Sequence, residues 1–353
     1  LIVNNIPFHG NQTITPYWPD GLMNPKLSWE ETKQFDAGLD LEFFDNRLSF
    51  ELDYYYRYTD KLLAQVTLPG DYNAYSAQWQ NAYAISNQGI ELQIKADLIR
   101  SEKLHWDFSF NIARNWDRLE KSNNGMDFNN LASKHNLNII GKPLNGIYVF
   151  NDQGYYNSQD EVPLYYVNGR RKYLSSLGNQ IYSPGDRRIQ DVDGNGQVAT
   201  IIPLLEDRVY GGSPLPLAFG GIATTLKWKG IDVNLLFSYK LGRHVLNAGR
   251  GASVGTILRA NTAEMMVPIL ANLDKVSFWQ KPGDNADFPI NELENGKNNF
   301  ATNLKSNVEK INYLKLKSIS IGYILPVFPK QSKHYARVFM SVENVFTITN
   351  SSS

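Results

Sequence analysis

Phe35-Asp36-Ala37-Gly38-Leu39-Asp40-Leu41-Glu42-Phe43 has an apolar residue at every odd position and a polar residue or glycine at every even one. Beyond the turn-forming Asp45-Asn46-Arg47 the pattern resumes, with Leu48, Phe50, Leu52, Tyr54 and Tyr56 set against Ser49, Glu51, Asp53, Tyr55 and Arg57. A period of two puts one set of side chains on each face of a sheet, and a short Asp/Asn-rich link joins the strands as an antiparallel hairpin.

The pattern recurs along the chain. Ile90, Leu92, Ile94, Ala96 and Leu98 alternate with Glu91, Gln93, Lys95 and Asp97; after a turn at Arg100–Lys103, Leu104, Trp106, Phe108, Phe110 and Ile112 follow in the same manner. A third hairpin joins Ile222–Trp228 to Ile231, Val233, Leu235, Phe237 and Tyr239 through Lys229-Gly230. A fourth joins Tyr313–Leu325 to Val338, Met340 and Val342 through Pro326–Lys333, and a slip of apolar phase between Leu316 and Ile319 predicts a β-bulge.

Between hairpins the connections are long, near residues 58–86, 117–216 and 241–310, although Leu62–Leu68 reads as continuing a strand. Structureless loops of such length are uncommon in compact domains. Short turns alternating with long loops are what a transmembrane β-barrel shows, with apolar runs of roughly ten residues to cross the bilayer and aromatics near the strand ends. Tyr54, Tyr55, Tyr56, Tyr58, Trp116, Trp228, Tyr239 and Tyr313 sit at such ends. The expected fold is therefore all-β, an antiparallel transmembrane barrel with apolar faces towards lipid, polar faces towards the lumen, and long loops outside. A β-sandwich that binds carbohydrate on Tyr and Trp alternates in the same way and is the competing architecture.

Composition narrows the function. Lys+Arg and Asp+Glu are 35 each, and this balance argues against a nucleic-acid binder. With no cysteine there is no disulfide framework and no thiolate metal site. No apolar run is long enough for a membrane-crossing helix. The first residues, Leu1-Ile2-Val3-Asn4-Asn5, have neither an initiator Met nor a signal-peptide pattern, and the last follow directly on a strand-like run, so a piece of a longer protein is expected.

The segment from Leu27-Ser28-Trp29-Glu30 through Thr32, Gln34 and Gly38-Leu39-Asp40 resembles the start of a barrel hairpin in the SusC/RagA family, TonB-dependent outer-membrane transporters of the Bacteroidetes. Asn87-Gln88-Gly89-Ile90-Glu91, Gly185-Asp186 with Asp191-Val192-Asp193-Gly194-Asn195-Gly196, Gly211-Gly212-Ser213-Pro214, Tyr313-Leu314-Lys315-Leu316-Lys317 and Glu343-Asn344-Val345-Phe346-Thr347-Ile348-Thr349 are similar to further motifs of that family, in the family's order. Gly141-Lys142-Pro143-Leu144-Asn145-Gly146-Ile147-Tyr148 is similar to another. The resemblance implies the C-terminal part of a barrel of about 22 strands, with the plug domain and the TonB-binding segment outside this sequence. It also implies import of a nutrient such as a glycan or peptide, under a SusD-like surface lipoprotein that acts as a lid.

The side chains offer little that is catalytic. His9, His105, His135, His244 and His334 are scattered without ligand spacing, and neither a nucleophile elbow nor a phosphate-binding loop is present. Carboxylates are plentiful, but no glycosidase pair stands out from a solvated lumen wall, so the chain is read as no enzyme. The sharpest motif is Asp191, Asp193 and Asn195 with Gly196. Oxygen side chains at positions 1, 3 and 5 followed by glycine match the first half of a calcium loop. Its twelfth position is Ile202, so Glu206 or Asp207 would have to supply the missing carboxylate; an Asx-rich turn without an ion explains the same residues. Tyr155, Tyr156, Tyr165, Tyr166, Phe278 and Trp279 in the long loops are candidates to stack on a ligand, against the alternative that they pack the loops into shape.

Overall fold

A computed structural model describes residues 6–8, 12–14, 22–67, 77–122, 128–129, 136–176, 179–198, 207–247, 277–290, 303–327, 334 and 336–351. Eight strands form one antiparallel sheet in sequence order: β1 (Glu31–Phe43), β2 (Leu48–Thr67), β3 (Ala77–Arg100), β4 (Leu104–Ser122), β5 (Ala218–Trp228), β6 (Ile231–Leu246), β7 (Val308–Leu325) and β8 (Ala336–Thr349). The edge strands β1 and β8 each pair on one side only, so the sheet does not close on itself among the described residues. One continuous sheet, rather than two packed face to face, also sets aside the sandwich architecture.

Register shows what the alternation builds. Leu39, Leu52, Leu92, Ile112, Gly220, Tyr239, Leu314 and Ile348 stand in one cross-strand row. The next row is Leu41, Phe50, Ile94, Phe110, Ile222, Phe237, Leu316 and Phe346, and the one after is Phe43, Leu48, Ala96, Phe108, Thr224, Leu235, Ile319 and Val342. None of these rows carries a charge. On the opposite face the row Asp40, Glu51, Gln93, Asn111, Gly221, Ser238, Lys315 and Thr347 is almost wholly polar. Lys95 reaches Glu51 at 2.8 Å there, and Arg337 reaches Asp232 at 2.6 Å. Large apolar side chains such as Phe35, Leu39, Trp106, Trp228, Met340 and Ile348 are left exposed on the first face. An apolar area this extended needs a cover of lipid or protein.

The turns follow the chemistry expected of them. Lys229 and Gly230 both have positive φ, 48° and 86°, which gives the two-residue turn whose twist matches paired strands. The predicted phase slip is real. Lys317 is an extra residue of β7 against β6, since Phe237 pairs with Leu316 and Leu236 with Ser318. The strand beyond adjusts in turn, for β8 carries an extra residue between Glu343 and Phe346, where Asn344 takes φ 54°. Asparagine tolerates that left-handed conformation better than most side chains.

Strands run further than the sequence pattern suggested. The stretch 58–86, expected to be largely a loop, is strand through Thr67 and again from Ala77. The apolar alternation stops near Tyr56 because the upper strands no longer separate a greasy face from a wet one; Ala82, Ala84 and Ser86 are buried there. At about 3.3 Å per residue β3 is roughly 80 Å long, well beyond a bilayer crossing. Among the described residues no helix is long and apolar enough to cross a membrane.

Where they are described, the long connections carry secondary structure of their own. Gly146–Phe150 pairs with Arg208–Gly212, Asp152–Tyr155 with Arg187–Ile189, and Leu164–Val167 with Arg170–Tyr173. Phe150, Tyr156, Val162, Leu174, Tyr182, Ile189, Val198 and Leu304 make a common core. Leu304 comes from the other long connection, and the Phe150 amide donates to the Asn303 carbonyl at 2.9 Å, so the two connections form one unit.

Candidate functional site

Two places gather polar side chains: the wall formed by the polar strand face, and the loop unit above it. In the wall, Tyr55 lies across Gly89 and donates to Asn115 Oδ1 at 3.0 Å. Only glycine permits this, for a Cβ at Gly89 would sit 2.5 Å from the Tyr55 ring and hydroxyl. At the short-turn end Asp97 faces Asp107, and Asp107 accepts from His105 at 3.0 Å. These side chains make a polar, charge-mixed surface.

In the loop unit the carboxylate motif folds as its spacing suggests. Asp191 Oδ1 accepts the Gly194 N–H and Oδ2 the Gly196 N–H, both at 2.8 Å. Gly194 and Gly196 have φ of 74° and 80°, values that suit glycine and let the chain wrap around the Asp191 carboxylate. Asp207 is brought to the loop across the intervening segment, and oxygens of Asp191, Asp193 and Asp207 all lie within 4.8 Å of one another. Asp207 is fully buried, with Oδ1 accepting the Val192 N–H at 3.0 Å. Asn195 turns its carbonyl oxygen to the Gln197 N–H at 2.7 Å and donates to Asp193 Oδ2 at 2.7 Å. Its oxygen is thus committed to the turn itself. Glu206 and Ile202 lie outside the described residues.

The aromatic candidates divide by burial. Tyr156 is 1% exposed and belongs to the loop core, and Trp279 is 6% exposed, packed on Gly185. Phe278 packs against Phe288 at 5.9 Å between ring centroids. Tyr165 is half-buried beside Gly196. Burial, reinforced by the charge of Asp191 and a hydrogen bond to it, pushes the Tyr165 hydroxyl up to about 12. Burial likewise pushes Tyr156 up to about 12. Tyr166 is 69% exposed, its hydroxyl accepting from Arg171 Nε at 2.8 Å. Tyr155 lines a polar cleft of about 630 Å³ with Glu161, Arg188, Asp284 and Asp287. Beneath it Arg187 pairs with the buried Asp152 at 3.0 Å, its guanidinium 5.3 Å from the Tyr155 ring centre. Sequence reading missed this buried pair, because 35 residues and no motif separate its members.

Comparison with known proteins fits this arrangement. The family model described as "TonB dependent receptor-like, beta-barrel" matches residues 4–249. A TonB-dependent receptor of Formosa agariphila is 29% identical over 97% of this chain, which covers 32% of that relative. The TonB-dependent receptor SusC of Bacteroides thetaiotaomicron is 25% identical over 63% of the chain, covering 20% of it. The RagAB peptide transporter structure superposes with a TM-score of 0.68 at 22% identity, over 99% of this chain and 35% of that one. The chain thus spans about a third, or less, of the length of these proteins.

Proposed function

The chain belongs to the TonB-dependent receptor-like β-barrel family, and on that premise we propose that it forms part of the wall and outer loops of an outer-membrane importer for a nutrient such as a glycan or peptide. The observation that carries the reading is the uncharged face running across all eight strands, backed by a polar one. A single open sheet with that division suits lipid on one side and water on the other. The short turns then lie on the periplasmic side and the loop unit outside. The carboxylates of the wall are proposed to solvate the passage rather than to catalyse, a reading supported by the family's description as receptors.

Within the loop unit, the Asp191–Asp193–Asp207 cluster is proposed to hold a calcium ion, whose preference for hard oxygen ligands suits three converging carboxylates. The ion would fix the loop's shape and take no part in transport chemistry. Exposed Tyr166 and cleft-lining Tyr155 are the proposed contacts for substrate or for a SusD-like lipoprotein lid, while Tyr156, Tyr165 and Trp279 support them from within. Energy would come from TonB acting on parts of the full-length protein outside this chain.

The test is uptake by cells making the full-length protein. Labelled oligosaccharides or oligopeptides too large for passive diffusion should accumulate, and accumulation should stop when TonB is deleted. Accumulation that continues without TonB would overturn the importer reading.

A further inference from the structure

β5 begins only at Ala218, so its ladder with β4 ends at Ala113, while β6 keeps hydrogen bonds to the preceding segment at Leu217 (2.8 Å to the Leu241 carbonyl) and Ser213 (3.0 Å from the His244 N–H). A notch of about 350 Å³ opens there. Trp116, Leu215 and Leu217 supply its apolar lining, and Arg114, His244 and Lys310 its basic groups.

Register places the basic groups on the apolar face. Arg114 stands opposite Ile90 and Trp116 opposite Gln88, which pairs in turn with Tyr56. Lys310 is four residues from Leu314 on the same unbulged stretch of β7 and faces His244. The uncharged rows lie below, and Arg114 is the first charge met on this face of β4. Its guanidinium rests 4.6 Å from the Trp116 ring centre. Gly242, at φ 69°, lets Leu217 and the Lys310 stem lie against the backbone, for a Cβ there would meet Leu217 Cβ at 2.8 Å and Lys310 Cε at 3.5 Å. Asp117, the carboxylate in the lining, is turned away by its pairing with Asn87 and accepts the Leu144 N–H at 3.0 Å.

We infer that this notch binds the phosphorylated headgroup of a glycolipid of the outer leaflet, whose acyl chains descend along the uncharged rows below Arg114. The inference rests on the membrane orientation proposed above. In that orientation the notch opens towards lipid at the level where headgroups begin, greasy below and cationic above. Cations at a membrane surface attract anionic headgroups, and lysine stems bury their carbons while the ammonium reaches the interface. A lone phosphate would satisfy the cations and leave the uncharged face below them unused, so a lipid is the better occupant.

The experiment is native mass spectrometry of the detergent-solubilised full-length protein with added lipopolysaccharide. Heat-modifiable gel migration is followed in parallel as a measure of barrel integrity. The wild type should retain lipopolysaccharide, and the Arg114→Gln/Lys310→Gln double variant should bind it roughly tenfold or more weakly. The Arg114→Lys/Lys310→Arg variant should bind like wild type, as should Lys315→Gln on the luminal face. Millimolar inorganic phosphate should not displace the lipid. Equal binding by the double variant, or displacement by phosphate alone, would overturn the inference. A protein that shows heat-modifiable migration but retains no lipid sinks this inference alone. One that lacks such migration altogether sinks the membrane reading with it.

Discussion

The contact between Tyr55 and Gly89 offers a quantitative handle on the wall. Gly89→Ala places a Cβ where the Tyr55 ring and hydroxyl now lie, 2.5 Å away. The ring must swing aside, because the backbone on either side is pinned by pairing of Gly89 with Tyr55 and Asn115. The 3.0 Å hydrogen bond to Asn115 is then lost, at about 0.5–1.5 kcal/mol. Overpacking adds about 1–3 kcal/mol, while replacing a strand glycine returns about 0.5–1 kcal/mol. The net expectation is a loss of about 0.5–4 kcal/mol, taken from these ranges together. In a Tyr55→Ala background the clash is absent, so Gly89→Ala should be neutral or mildly stabilising. Denaturant unfolding of the full-length protein in lipid vesicles, run as a double-mutant cycle, reads the coupling directly. A Gly89→Ala cost that is the same in both backgrounds would refute the packing argument.

Two further outcomes concern the loop unit. Calorimetric titration of the full-length protein should show calcium binding in roughly the micromolar-to-millimolar range, abolished by Asp191→Asn or Asp207→Asn; no heat from wild type at millimolar calcium would leave an ion-free turn. For Tyr156 and Tyr165, folding raises the hydroxyl from about 10 in the unfolded chain to about 12. Their contribution to stability is therefore whole below pH 10 and lost as pH rises through about 12. A phenolate-absorbance difference between wild type and Tyr165→Phe should show the missing group titrating near the higher value, and a difference complete by pH 10 would contradict the buried placement.

Much of the wall was legible in the sequence because a period of two is a local property. Each of Leu39, Leu52 and Leu92 declares its face through its own neighbours, and the bulge at Lys317 appears as a break in that rhythm. The strands above Tyr56 were not legible. Trp79, Asn81 and Ala82 follow no apolar–polar alternation, and small Ala82 is buried there while Trp79 is exposed. The carboxylate loop was readable as far as glycine positions and spacing go. The approach of Asp207 depends on how 207–212 pairs with 146–150, which spacing alone does not encode. Arg114, His244 and Lys310 gave no signal at all, for they are brought together only by where β5 begins.

The central claim is that the two faces of this sheet meet different solvents. Because the chain has no cysteine, single cysteines can be introduced along β3 from Ile90 to Asp97 in the full-length protein, made cysteine-free elsewhere and embedded in outer membranes. Labelling with a membrane-impermeant maleimide should alternate strictly, with Glu91, Gln93, Lys95 and Asp97 positions reactive and Ile90, Leu92, Ile94 and Ala96 positions protected. A flat profile, or the opposite phase, would contradict the account.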